Sequence, residues 1–155
     1  MTAAEPSGTR SGGVTIEQEI RWGDMDALGH VNNIVYFQYC ESARIAYFDA
    51  IGVDRYKERP EYGPGIVTAS LNFRRQLRYP GKVRVTANAT KVGERSYTLS
   101  YVLRDAGSGE VAAEGESVCV WVDYAAGKAV QLPEGMVEAI AALEGNDELR
   151  GRGKG

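Results

Sequence analysis

Residues 21–33, RWGDMDALGHVNN, hold the side chains of this chain that are best suited to hydrolytic chemistry. Two aspartates, Asp24 and Asp26, stand one residue apart, and the only histidine, His30, follows a glycine. Two asparagines and a long apolar run come next. A carboxylate can attack a carbonyl carbon or activate water, and the free N–H groups at a helix start can stabilise the oxyanion. Together these groups could hydrolyse an activated carbonyl compound.

A strand is predicted just before this stretch, overlapping its first two residues. Residues 14–22, VTIEQEIRW, alternate between apolar and polar side chains. This period of two, with its β-branched residues, is typical of a β-strand. Val14, Ile16, Ile20 and Trp22 would then share the apolar face.

A long helix is predicted after the stretch. Asn32 or Asn33 is suited to the N-cap and Gly52 to the position after the last turn. The roughly nineteen residues between them would span about 28 Å. Apolar side chains surround most of this helix, which indicates that it is buried. Glu41 and Arg44 are expected to pair on its surface or across a dimer.

The remaining sequence is mainly of β type. Residues 53–65 read as a loop rich in proline and glycine. Short turns between successive strands imply an antiparallel meander, followed by a short helix at 133–145. The order favours an α+β domain in which a curved sheet wraps around the long helix, and its open edges favour a dimer. The strands are predicted at 66–78, 82–93, 95–105 and 110–124.

Length and charge limit the possible functions. With 155 residues we expect one domain, at 13–145, between flexible tails at 1–12 and 146–155. The net charge of −3 argues against non-specific nucleic-acid binding. Cys40 and Cys119 are expected to be small buried residues, and no Cys/His cluster suggests a metal. The first residues lack the apolar core of a signal peptide and no run suits a membrane span, so we expect a cytoplasmic protein.

Residues 21–52, RWGDMDALGHVNNIVYFQYCESARIAYFDAIG, resemble the signature of hotdog-fold acyl-CoA thioesterases, in the branch similar to 4-hydroxybenzoyl-CoA thioesterase. The loop D-x-D-x-x-G-x-V-x-N and the helix with E-x-A-R carry the resemblance, which extends over about residues 14–132. It implies a hotdog fold, hydrolysis of acyl-CoA, and homodimers or homotetramers with active sites at the dimer interface. It implies no cofactor beyond the coenzyme A part of the substrate. Because GHVNN differs from the hydroxybenzoyl enzyme, the aromatic substrate is not carried over.

The resemblance also implies roles for individual residues. Asp26 corresponds to the catalytic carboxylate, and the backbone N–H of Asn33 or a neighbour would bind the thioester carbonyl. Whether Asp26 forms an anhydride or acts as a general base stays open. Gly29 allows a tight turn beside the acyl group, His30 is expected to line the pocket, and Asn32 is a cap or orients the carbonyl or a water.

The same residues also have a purely structural interpretation. Aspartate and glycine are ordinary in turns, and aspartate is favourable near a helix start. Asp24 is expected to be a turn residue or a supporting hydrogen-bond partner. Glu41 is a second catalytic candidate, because related hotdog enzymes can use a helix glutamate.

Residues 74–84, RRQLRYPGKVR, form the most basic part of the chain. Strand alternation would place Arg75 on one face and both Arg74 and Arg78 on the other. Most of these charges are expected to lie on a solvated strand face that protects a sheet edge. Alternatively, one or more of these arginines, together with Lys82, would bind the phosphates of coenzyme A.

Three other functions fit these residues. The protein could act on acyl-carrier-protein thioesters, which activity on protein-bound pantetheine would reveal. It could be a non-catalytic acyl-CoA-binding module, which predicts binding without turnover. It could be a hotdog hydratase, which would act on enoyl-CoA without releasing thiol.

Overall fold

The structure of the chain is a computed structural model that describes residues 12–151. It consists of a six-stranded sheet and two α-helices, with short 3₁₀ helices at Trp22–Asp24, Val53–Tyr56 and Asp147–Gly151. The strands are β1 (Val14–Ile20), β2 (Tyr62–Phe73), β3 (Gly81–Val92), β4 (Ser96–Asp105), β5 (Val111–Asp123) and β6 (Lys128–Val130). The helices are α1 (Asn33–Ile51) and α2 (Glu134–Glu144).

The sheet is antiparallel and holds α1 against one face. Its order is β1-β3-β4-β5-β2, and β6 pairs with β5. Alternate residues of the central strands point into the core, so Val83, Val85, Leu99 and Leu103 are fully buried. Together with α2, α1 completes this core. The predicted α+β architecture, a sheet around one long helix, is confirmed.

The predicted meander is wrong at its first step, because β2 pairs with β5 and not with β3. The intervening segment 74–80 is not a hairpin turn. Leu77 is buried, its N–H donates to the Tyr36 hydroxyl (3.1 Å), and its carbonyl accepts from the Val31 N–H (2.9 Å). These bonds draw the segment under the start of α1. The chain therefore crosses from β2 at one edge of the sheet to β3 near the other.

Two strand boundaries also differ from the prediction. The β2 strand begins at Tyr62 inside the predicted loop and ends at Phe73, so the expected alternation of the later arginines does not exist. The β1 strand ends at Ile20, because the Asp24 carboxylate accepts a hydrogen bond from the Arg21 backbone N–H and bends the chain into a 3₁₀ helix. Trp22 consequently does not face the core and is 73% exposed.

The long helix begins and ends where the sequence predicts. Asn32 is the N-cap, and its side chain accepts from the Ile34 N–H; Gly52 closes the helix in the left-handed conformation. The sequence predicts that α1 is buried on nearly all sides, and this prediction is wrong. Only one side of α1 packs into the core, while Ile34, Phe37 and Ile45 are exposed on the single chain.

The predicted tails lie mostly outside the described residues, which exclude 1–11 and 152–155. The exception is the beginning of the second tail. Residues Asp147–Gly151 form a 3₁₀ helix whose Leu149 is only 6% exposed. The predicted boundary at residue 145 is therefore too early, because an apolar side chain beyond it packs on the core.

Candidate active site

The loop before α1 is anchored by Asp24, which is buried. Its Oδ2 accepts from the Tyr39 hydroxyl (2.8 Å) and the Arg21 backbone N–H (2.9 Å), and its Oδ1 lies 3.2 Å from the Arg21 guanidinium. Burial acts to raise the pKa of Asp24, but these hydrogen bonds and the Arg21 charge together hold it below its usual value. Its backbone carbonyl accepts from the N–H of Asn32, the N-cap (3.0 Å). Asp24 therefore ties the loop to α1 twice, through its side chain and through its backbone.

The second aspartate, Asp26, is exposed at the start of a tight turn. Its backbone N–H donates to the His30 carbonyl (2.9 Å), and its carbonyl accepts from the Gly29 N–H (3.0 Å). One carboxylate oxygen accepts from the Leu28 N–H (2.9 Å). The other carboxylate oxygen accepts no hydrogen bond within residues 12–151. Gly29 has a φ of 83°, which L side chains rarely adopt, so glycine is needed here.

The start of α1 offers a backbone donor next to this turn. The Asn32 side chain accepts from Ile34 N–H (2.9 Å), and the Asn32 carbonyl accepts from Val35 N–H (2.9 Å). Of the two asparagines, Asn32 is thus the cap and Asn33 the first helical residue. The Asn33 N–H has no hydrogen-bond acceptor among the described residues. With the positive end of the helix dipole, it can bind a carbonyl oxygen or an oxyanion.

His30 contacts the segment that crosses below the helix. Its Nε2 lies 3.1 Å from the Arg78 guanidinium. Because a guanidinium only donates, Nε2 is the acceptor of this hydrogen bond. No serine, cysteine or carboxylate side chain of the described residues contacts the imidazole. The geometry gives His30 a hydrogen-bonding place beside the turn rather than a nucleophile to activate.

The structure separates the basic residues into two groups. Arg74 and Arg75 form ion pairs with Glu114 (2.8 Å) and Glu110 (2.7 Å). Within residues 12–151, neither Arg78 nor Lys82 forms an ion pair with a carboxylate oxygen at 4 Å or less. The four predicted phosphate-binding residues therefore do not form one cluster of free cations.

A cavity of about 320 Å³ lies between the exposed side of α1 and β2. Its helix wall includes Ile34, Phe37, Glu41 and Arg44, spaced by three or four residues along one face. This spacing is visible in the sequence and could have predicted one wall of a cavity. The volume is of the size of small-molecule sites, which occupy roughly 300–1,000 Å³.

Within the single chain Arg44 does not pair with Glu41, so the predicted pair on the helix surface is wrong, while a pair across a dimer stays a prediction. The Arg44 guanidinium donates to the Tyr101 hydroxyl (3.2 Å), which lies 2.6 Å from the Ser117 hydroxyl in the buried core. Among the described residues, no carboxylate oxygen forms an ion pair with the Arg44 guanidinium at 4 Å or less. The hydrogen bond to the Tyr101 phenol directs the Arg44 guanidinium toward β4.

The two cysteines belong to the core. Cys40 and Cys119 are buried and free, as predicted for small core residues. Burial raises the pKa of Cys40 to about 12, although the nearby Arg44 opposes this change. Within residues 12–151 no group of three His, Cys, Asp or Glu side chains is arranged to hold a metal ion. No helix in this range is long and apolar enough to cross a membrane.

Comparison with known proteins gives a family. The sequence profile of the thioesterase-like superfamily matches residues 20–140, which include the loop, α1 and the strands β2 to β6. The protein YsmA of Bacillus subtilis (strain 168), whose function is uncharacterised, is 31% identical over 111 residues. That match covers 72% of this chain and 74% of YsmA.

Solved structures agree in fold. PA2801 of Pseudomonas aeruginosa, provisionally identified as a thioesterase, is 33% identical; the match covers 86% of this chain and 100% of that one, with a TM-score of 0.75. A thioesterase of Thermus thermophilus, solved with coenzyme A and zinc, is 32% identical; the match covers 88% of this chain and 97% of that one, with a TM-score of 0.76. The chain belongs to the thioesterase-like superfamily and is a hotdog-fold thioester hydrolase.

Proposed function

We propose that the protein hydrolyses an acyl-CoA thioester to a free acid and coenzyme A. Two observations support the proposal: Asp26 opens a tight turn that ends just before the N-cap of α1, and the Asn33 N–H at the start of this helix has no acceptor among the described residues. The related Thermus thermophilus thioesterase holds coenzyme A, which supports coenzyme A as the leaving group. No cofactor beyond this group is required by the chemistry. The acyl group would lie in the cavity between α1 and β2.

In the proposed mechanism the Asn33 N–H and the helix dipole polarise the thioester carbonyl and stabilise the oxyanion. Asp26 acts in one of two ways. As a nucleophile it bonds to the carbonyl carbon, the C–S bond breaks to release the coenzyme A thiolate, and water then cleaves the anhydride. As a general base it takes a proton from the water that attacks the same carbon, after which the C–S bond breaks and the proton goes to the departing coenzyme A thiolate. Asn32 holds the helix start, and Gly29 and His30 form the turn.

We also propose that the working form is a homodimer joined through β2, from which tetramers could be built. The β2 strand is a sheet edge of twelve residues whose Ile66 and Val67 are 43% and 61% exposed. Ile34 and Phe37 extend this apolar surface onto α1. Long apolar edges favour pairing with another strand. Val67→Lys should produce a smaller species in sedimentation at micromolar concentration, and an unchanged dimer would contradict this interface. The cytoplasmic location stays a prediction.

The direct test measures thiol release from short, medium, long and aromatic acyl-CoAs. Wild type should turn over at least one of them, and Asp26→Asn should lose roughly 100-fold or more in kcat, the effect of losing general-base catalysis, with an unchanged melting temperature. Asp49→Asn is the matched control, because Asp49 is an exposed aspartate of α1 remote from its start.

Other outcomes would contradict the proposal in different ways. Release of thiol only from protein-bound pantetheine would make the substrate an acyl-carrier protein. Acyl-CoA binding without turnover would indicate a binding module, and conversion of enoyl-CoA without thiol release would indicate a hydratase. Equal rates for wild type and Asp26→Asn would exclude Asp26 and leave Glu41 and Asp24 as candidates.

A further inference from the structure

Two large aromatic side chains are exposed at one end of the sheet, next to the catalytic loop. Trp22 is 73% exposed and Tyr79 is 46% exposed. The last pair of the β1–β3 ladder is Ile20 with Gly81, and the two chains lead from it to Trp22 and to Tyr79. Both rings therefore lie at the same end of the sheet. Grouped exposed apolar side chains on a soluble protein commonly mark a binding surface.

The same end of the sheet carries Arg78 and Lys82, the two cations of the basic stretch that have no carboxylate partner among residues 12–151. Arg78 directly precedes Tyr79, and Lys82 stands opposite Glu19 in the β1–β3 ladder without an ion pair to it within 4 Å. The neighbouring Arg84 is paired with Glu17 (3.0 Å), just as Arg74 and Arg75 are paired with acids of β5 or the turn before it. Free cations beside exposed rings are the groups that bind a nucleotide, through phosphate contacts and base stacking.

This surface is connected to the catalytic turn. The Arg78 guanidinium lies 3.1 Å from His30 Nε2, and the Leu77 carbonyl accepts from the Val31 N–H (2.9 Å). The His30 carbonyl in turn accepts from the Asp26 N–H. A ligand on Arg78 is thus held one side chain away from the turn that carries Asp26.

We infer that Trp22, Arg78, Tyr79 and Lys82 bind the adenosine 3′,5′-bisphosphate half of coenzyme A. The adenine stacks on the exposed rings, and the phosphates contact the two free cations. We name these four residues the nucleotide surface. The inference rests on the proposed function, since it places the part of the substrate that does not react. It also replaces the prediction from the sequence that Arg74 and Arg75 bind phosphate.

The binding test uses adenosine 3′,5′-bisphosphate as the probe and tryptophan fluorescence as the readout. The chain has two tryptophans, and the second, Trp121, is fully buried. Stacking should quench the exposed Trp22, and Trp22→Phe should abolish the quenching. By calorimetry Trp22→Ala and Arg78→Ala should each raise Kd about tenfold, whereas Trp22→Phe, which keeps an aromatic face, should lose much less. Arg95→Ala, an exposed arginine on another loop, is the matched control.

The kinetic test compares an acyl-CoA with the acyl-pantetheine that carries the same acyl group. Trp22→Ala should raise KM for the acyl-CoA about tenfold more than KM for the truncated thioester, because only the former has an adenine. Added salt should raise KM for the acyl-CoA preferentially, since the phosphate contacts are exposed. If Arg78→Ala affects both substrates equally, Arg78 acts through His30 and the assignment of phosphate binding to it is overturned.

The outcomes separate this inference from the proposed function. Hydrolysis of acyl-CoA with the same KM in wild type and Trp22→Ala would overturn the nucleotide surface and leave the thioesterase intact. Quenching by the bisphosphate in a protein that hydrolyses no acyl-CoA would support the surface and contradict the function. A change of oligomeric state in Trp22→Ala, with unchanged bisphosphate binding, would show that the rings contact a second copy instead.

Discussion

The hydroxyl of Tyr39 donates a 2.8 Å hydrogen bond to Oδ2 of Asp24, and both residues are buried. This bond joins the second turn of α1 to the loop that carries Asp26, between residues fifteen positions apart in the sequence. A buried carboxylate must be hydrogen-bonded, so the pair fixes where the loop leaves the helix. The Asp24 carboxylate thus helps to place the loop that carries Asp26, the carboxylate proposed to react.

Removing the phenol should loosen this arrangement. Tyr39→Phe leaves Asp24 with Arg21 as its remaining side-chain donor, and should lower the free energy of unfolding by about 1–3 kcal/mol, the effect of losing a hydrogen bond to a buried charge. Urea unfolding measures this change. Tyr124→Phe is the control, because its hydroxyl bonds to the Pro64 carbonyl at an exposed site. Equal losses in both variants would contradict a special role for the Tyr39 contact.

Acid should weaken the same anchor. The pKa of Asp24 lies below its usual 3.8 in the folded protein, because donors and Arg21 outweigh the effect of burial. A lowered folded-state pKa contributes stability that is complete above the unfolded pKa and is lost as the pH falls through the folded pKa. The stability difference between wild type and Asp24→Asn should therefore shrink below about pH 4. Urea titrations from about pH 7 to pH 2 test this, and a pH-independent difference would refute it.

The turn beside Asp26 should depend on glycine at one position only. Gly29 has a φ of 83° and open space where a methyl group would lie, so Gly29→Ala introduces backbone strain of about 1–2 kcal/mol without a clash. Gly23 also has open space at the position of a Cβ atom, but its φ is not in the left-handed range. Gly23→Ala is therefore the matched control. We expect a lower melting temperature and a lower kcat only for Gly29→Ala. Similar behaviour of the two variants would exclude strain as the reason for this glycine.

The end of the chain should contribute to stability through Leu149. Its side chain is 6% exposed, so Leu149→Ala should lower the free energy of unfolding by about 2 kcal/mol. Leu28→Ala is the control, since Leu28 is 81% exposed, and we expect a change within about 0.5 kcal/mol. Thermal or urea unfolding distinguishes the two. A neutral Leu149→Ala would restore the prediction of a tail that begins at residue 146.

The sequence by itself determined features that depend on neighbouring residues. The ends of α1 follow from the Asn32 cap and from Gly52, which act within one helical turn, and the strands β3 to β5 follow from alternation. The turn around Asp26 is also local, since its bonds span at most four residues. These features were predicted because their energies come from short stretches of chain. The catalytic roles of Asp26 and Asn33 stay predictions.

Only the tertiary structure decided contacts between distant segments. The partner of β2 is β5 because buried Leu77 draws the crossing segment under α1, and alternation in one strand says nothing about which strand lies beside it. Arg44 meets Tyr101, fifty-seven positions away, and not the nearby Glu41. Arg74 and Arg75 are paired with acids of another segment, whereas neither Arg78 nor Lys82 has a carboxylate partner among residues 12–151. Such choices depend on which surfaces the whole fold brings together, and local propensity does not carry that information.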